Sequence, residues 1–76
     1  MSQSIENGSK WAGDYINRGI IFYRRHNYRS ALADYDKAVT LSPNDAQCYY
    51  NRGVLRQELG DYNRALDDLT QAINLS

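Results

Sequence analysis

The chain repeats itself. Shifted by 34 residues, twelve of 31 aligned positions are identical between residues 12–42 and 46–76, where chance at average residue usage gives about two. Ala12, Tyr15, Asn17, Arg18 and Gly19 fall on Ala46, Tyr49, Asn51, Arg52 and Gly53. Tyr28, Ala31, Leu32, Asp34, Ala38, Leu41 and Ser42 fall on Tyr62, Ala65, Leu66, Asp68, Ala72, Leu75 and Ser76. A period of this size means one supersecondary unit used twice. The length of 76 residues excludes a multidomain enzyme, a large barrel or a full dinucleotide-binding fold.

Each unit reads as two helices. Trp11, Tyr15, Ile16, Ile20 and Tyr23 fall mostly at helical spacing, which predicts a first helix over about Lys10 to Arg25. His26-Asn27 breaks it, and Asn27 is the expected N-cap of a second helix ending near Leu41. Ser42-Pro43-Asn44-Asp45 is turn chemistry, and Asn44 with Gln47 predicts a capping box. A third helix is expected to run to about Leu59, where Gly60 takes the left-handed conformation. Asp61 caps a fourth helix ending near Leu75. No strand-like alternation occurs, and the short linkers predict antiparallel neighbours. Residues 1–9 are polar but for Ile5 and read as a flexible N-terminal tail before a domain over 10–76.

Composition narrows the chemistry. Leu, Ile, Val and Phe total only 15 residues, and seven tyrosines with seven alanines replace the missing hydrophobicity. One cysteine, Cys48, excludes an intrachain disulfide, and one histidine, His26, excludes clustered Cys/His zinc ligation. Nine basic residues balance nine acidic ones, so no nucleic-acid or anionic-membrane partner is expected. No leader-like or spanning apolar run is present in the sequence, and a cytoplasmic location is expected.

Catalysis has little to rest on. His26 lies beside Arg24, Arg25 and Arg29, a setting for a turn residue and not for a poised base. That basic cluster fits a helix C-terminus, and a phosphate or acidic peptide is its functional alternative. Cys48 reads as a small core residue. The carboxylate pairs Asp34/Asp36 and Asp67/Asp68 share no helical face and read as solvated surface. No catalytic residue, metal or cofactor is expected.

A 34-residue helix-turn-helix period with these residues resembles the tetratricopeptide repeat. Tyr15 and Tyr49 stand at its first aromatic position, Gly19 and Gly53 at its close-approach glycine. Ala31 and Ala65, then Ala38 and Ala72, are its small residues; Tyr35 and Leu69 are its large ones, and Pro43 closes the first repeat. Small residues facing bulky ones let two helices approach. The resemblance implies an all-α fold: four antiparallel helices as two repeats, 12–45 and 46–76, in a short right-handed α-solenoid without a C-terminal capping helix. Arg18 and Arg52 depart from the family's leucine and read as snorkelling side chains. His26 departs from its glycine and predicts a slightly strained turn.

The resemblance also implies a non-enzymatic interaction module with a concave groove on the first helix of each repeat. The groove residues are Ile16, Asn17, Ile20, Tyr23 and Arg24, with Gln47, Tyr50, Asn51, Val54 and Gln57 from the third helix. A short peptide or partner protein with apolar anchors is the expected ligand. Asn17 and Asn51 match asparagines of chaperone-type peptide clamps, but Gly13 stands where that clamp needs lysine.

The two ends differ. Leu32 and Val39 are expected to meet Cys48, Leu55 and Leu59 between repeats. At the front, Asp14 and Arg25 replace Cys48 and Leu59, with Ile21 for Leu55; at the back, Leu66 and Ile73 keep the apolar character. An open face of Leu66, Leu69 and Ile73 is therefore expected to self-associate, giving a homo-oligomer such as a back-to-back dimer, or to receive further repeats of a longer array. Residues 1–41 carry six basic and four acidic side chains, residues 42–76 three and five, which weakly favours head-to-tail stacking.

Overall fold

The computed structural model describes residues 3–76, with side chains from Trp11 onward. Four helices follow one another: α1 Gln3–Arg24, α2 Tyr28–Leu41, α3 Ala46–Glu58 and α4 Tyr62–Leu75. The described residues contain no strand. α1 packs on α2 and α3 on α4 as two helical hairpins, and α3 joins them by packing on α2 and, more lightly, on α1.

The expected boundaries hold within two residues, with one exception. α1 begins at Gln3, so residues 3–9, read as a flexible tail, continue the first helix. Extending an existing helix carries no nucleation cost, and no proline precedes Pro43.

Both hairpin turns use one device. At the first, His26 N–H donates to Tyr23 O and Asn27 N–H to Phe22 O; at the second, Gly60 N–H donates to Gln57 O and Asp61 N–H to Arg56 O. This pair of bonds is a Schellman ending, which needs a left-handed residue. Gly60 supplies it at φ +85° and His26 at φ +62°.

The caps depart from expectation in two places. Asn27 is the N-cap of α2 but its side chain makes no capping bond. The cap of α3 is Asp45, not Asn44: its Oδ1 accepts from Gln47 N–H at 3.0 Å. Asp61 caps α4 as expected, accepting from Arg64 N–H.

The core follows the small-against-large pattern. Ala12, Ile16, Ala31, Tyr35, Ala38, Cys48 and Leu55 form one buried cluster, with Leu32, Val39 and Leu41 packed on it. Gly19 lies under the Tyr35 ring, where an added Cβ would meet Cε1 at 2.6 Å; Gly53 lies under Leu69 in the same way. Leu59, expected between the repeats, is 46% exposed because it sits at the C-cap of α3, past the packed turns.

Two carboxylates are not where the sequence reading put them. Asp34 and Asp68, expected on the solvated surface, are each only 4% exposed. Arg18 clasps Asp34 through Nε and Nη2, both at 2.8 Å. Arg52 clasps Asp68 through Nε at 2.9 Å and Nη2 at 2.8 Å. The arginines are therefore not merely snorkelling: each binds the second helix of its own hairpin with a planar, two-pronged contact. Their apolar surroundings are shared, since Arg18 lies over the Tyr15 and Phe22 rings and Arg52 over Tyr49. The hydrogen bonds to the carboxylates raise both guanidinium pKa values further.

The second clasp is also tied to the first repeat. Arg56 Nη1 donates to Asp68 Oδ2 at 2.9 Å, Arg52 Nη1 to Asp36 Oδ1 at 3.1 Å, and Arg56 Nη2 approaches Asp36 at 3.9 Å. Asp36 thus pins α2 to α3 beside the apolar contact.

Candidate functional site

Two hollows meet at α3. The first lies between α1 and α3, has a volume of about 270 Å³, and is lined by Ile20, Tyr23, Arg24, Tyr50, Asn51 and Val54 over a floor of Tyr35. The second lies between α3 and α4, measures about 620 Å³, and is mostly apolar: Ala46, Gln47, Tyr50, Asn51, Leu69, Ala72, Ile73 and Ser76 line it. Tyr50 and Asn51 belong to both.

The expected groove residues are placed unequally. Ile20, Tyr23, Arg24, Tyr50, Asn51 and Val54 converge on the first hollow. Gln47 lines the second. Asn17 and Gln57 are exposed but line neither. Ile16 is corrected: it is 6% exposed and part of the core. The reason is register, since Ala12, Ile16 and Gly19 form one inward stripe of α1 at i, i+4, i+7. Its counterpart Tyr50, at the same place in repeat two, is 56% exposed.

The polar groups of the first hollow are partly committed. Tyr23 Oη donates to Glu58 Oε1 at 3.2 Å, linking α1 to α3 across the groove, and its ring packs against Tyr28 at 5.4 Å. Burial first, then this bond, push the Tyr23 phenol pKa up. The Tyr35 phenol is raised mainly by burial. Asn51 Nδ2 is buried and has no hydrogen-bond partner among the described residues. A buried donor of this kind costs stability until an acceptor reaches it.

The remaining candidates are placed as follows. Cys48 is buried at 1% exposure, and burial first, then the Asp45 carboxylate, push its thiol up to about 11. A thiol so held is a poor nucleophile. His26 and its arginine neighbours are exposed, with His26 Nδ1 at 3.0 Å from Tyr28 Oη. On α4, Leu66 and Ile73 are 65% and 73% exposed, while Leu69 is half-buried over Gly53. Sequence reasoning missed the contribution of Tyr35 to the first hollow and of Ala46, Ala72 and Ser76 to the second. The equivalence of Tyr35 with Leu69 was the available signal, because both stand opposite a glycine.

Two hairpins are joined through α3, with a glycine under a bulky residue in each. The tetratricopeptide repeat profile covers residues 19–76. The chain belongs to the tetratricopeptide repeat family. No curated protein matches it. Tetratricopeptide repeats are helical protein-interaction modules and typically non-catalytic. Among the described residues, no helix is long and apolar enough to cross a membrane.

Proposed function

We propose that this tetratricopeptide repeat pair binds a short peptide segment of a partner protein in the hollow between α1 and α3. The observation that carries the reading is the unpartnered, buried Asn51 Nδ2, on a residue that lines this hollow and the larger one beside it. A peptide carbonyl answers that donor, while Ile20, Val54 and the exposed Tyr50 ring offer contact to an apolar side chain. Arg24 at the rim favours an acidic residue or a terminal carboxylate nearby.

The test is a peptide selected from a random display library on the immobilised chain, with affinity read by fluorescence anisotropy. Asn51→Ala and Tyr50→Ala are each expected to weaken it by roughly five- to tenfold, the value of one hydrogen bond or one aromatic contact. Tyr50 is exposed, so its removal leaves the fold intact. Binding indifferent to both changes, or a library that yields no peptide, overturns the reading.

A further inference from the structure

The contact of α2 with α3 is the joint between the repeats. Leu32 and Val39 pack against the cluster that contains Cys48 and Leu55, and Asp36 accepts from Arg52 at its edge. A shift of 34 residues carries each side of this joint to one end of the chain. The α2 side becomes Leu66, Thr70 and Ile73 on α4; the α3 side becomes Asp14, Arg18 and Ile21 on α1. Leu66 and Ile73 are 65% and 73% exposed, and Ile21 is 51% exposed where its counterpart Leu55 is 0%.

The larger hollow carries the same relation independently. Ala46, Tyr50, Leu69 and Ala72 line it. Their counterparts one repeat earlier, Ala12, Ile16, Tyr35 and Ala38, are exposed by 6% or less and share a cluster with Cys48 and Leu55 of α3. What seals that surface in repeat one is the first helix of the following repeat. The hollow beside Ile73 has the position and the apolar lining of the same seat.

We propose that α1 of a second copy occupies this seat, so that copies stack head to tail by reusing the α2–α3 joint. Charge favours the pairing, since residues 1–41 carry an excess of two basic side chains and residues 42–76 an excess of two acidic ones. A back-to-back contact of two α4 helices gains nothing from that asymmetry and leaves Ile21 and the 56% exposed Trp11 uncovered. The stacked contact is heterologous, so each added copy presents a fresh end and growth does not close at two. Asp14 opposes it: it stands at the place of buried Cys48, and stacking removes its carboxylate from water.

Sedimentation velocity on the whole chain, across roughly micromolar to millimolar concentration where weak association is read, tests this. The expected result is a sedimentation coefficient that keeps rising with concentration and falls with added salt. Ile21→Glu blunts the front, and Leu66→Glu with Ile73→Glu blunts the back; each variant alone is expected to stay monomeric. Their equal mixture is expected to form a heterodimer and stop there, because one intact front meets one intact back. Asp14→Ala is expected to tighten association severalfold. All four changed side chains are exposed, and circular dichroism verifies that the variants fold. A wild-type chain that stays monomeric, a plateau at the dimer untouched by Ile21→Glu, or a mixture that yields no heterodimer overturns the proposal.

Discussion

Arg52 holds Asp68 by two hydrogen bonds, of 2.9 and 2.8 Å, across sixteen residues of chain. The carboxylate side chain is 5% exposed and the guanidinium 16%. Asp68→Ala therefore takes the buried carboxylate from two arginines, since Arg56 also donates to Asp68, and leaves them only the exposed Asp36. Removing one partner of a buried pair costs about 3 kcal/mol. The equivalent change Asp34→Ala is expected to cost clearly less, because the Arg18 side chain is 61% exposed and returns to water. Urea midpoints of the two variants check the order; equal losses would contradict it.

The close approaches within the hairpins predict a graded glycine series. Gly19→Ala drives a Cβ into the buried Tyr35 ring at 2.6 Å and is expected to cost about 2 kcal/mol. Gly53→Ala meets Leu69 at 2.9 Å, and a half-buried leucine gives way more easily, so the loss is expected to be smaller. Gly13→Ala meets nothing within 4 Å on a helix and is expected to stabilise by up to about 1 kcal/mol. Thermal melts of the three variants read the series.

His26 adopts φ +62° without being glycine. A left-handed residue with a Cβ costs about 1 kcal/mol, and the bond lost with the imidazole, to Tyr28, is exposed. His26→Gly is expected to raise stability by about 0.5–1 kcal/mol. The mirror change Gly60→Ala, at φ +85°, is expected to lower it by a similar amount. Chemical denaturation measures both.

Cys48 predicts an alkaline effect. Its thiol is raised from 9.0 to about 11 in the folded chain, so the folded state holds the proton more tightly than the unfolded one. The contribution is complete below about pH 9 and is lost as pH rises through about 11, at most about 2–3 kcal/mol. Cys48→Ala removes this slope while the tyrosines still titrate, so the difference between the two pH profiles isolates it. Below pH 9 the thiol is also expected to react with a disulfide reagent far more slowly in the native chain than in urea.

Much of this architecture was legible from one sequence because duplication supplies its own comparison. The period placed both hairpins, and Gly60 showed what His26 replaces. The clasps were not legible in the same way. Arg18 and Asp34 are sixteen residues apart on different helices, and testing charges against neighbours three or four positions away does not join them. A signal was nonetheless present. Both residues are identical in the two copies, and Asp34 lies one turn from Ala31 on the inward stripe that also holds Ala38. A charge on an apolar stripe needs a partner of opposite sign.

The groove was read less well than the helices. Ile16 and Tyr50 are equivalent by sequence yet are 6% and 56% exposed, because α3 packs beside repeat one and, among the described residues, no helix packs beside repeat two in that way. Position within the array, beyond the identity of the residue, bears on which of them meets solvent.

The clasps and the Asp36 bridge differ in how they survive duplication. A clasp lies wholly inside one 34-residue unit, so a gene segment copied whole brings its own Arg–Asp pair. The bridge belongs to no single unit: it needs an acidic residue in one and arginines in the next. Thr70 stands at the place of Asp36 in repeat two. A transplanted copy of the second unit would carry its clasp with it, and its junction with a following unit would rest on Leu66 and Ile73 without that bridge.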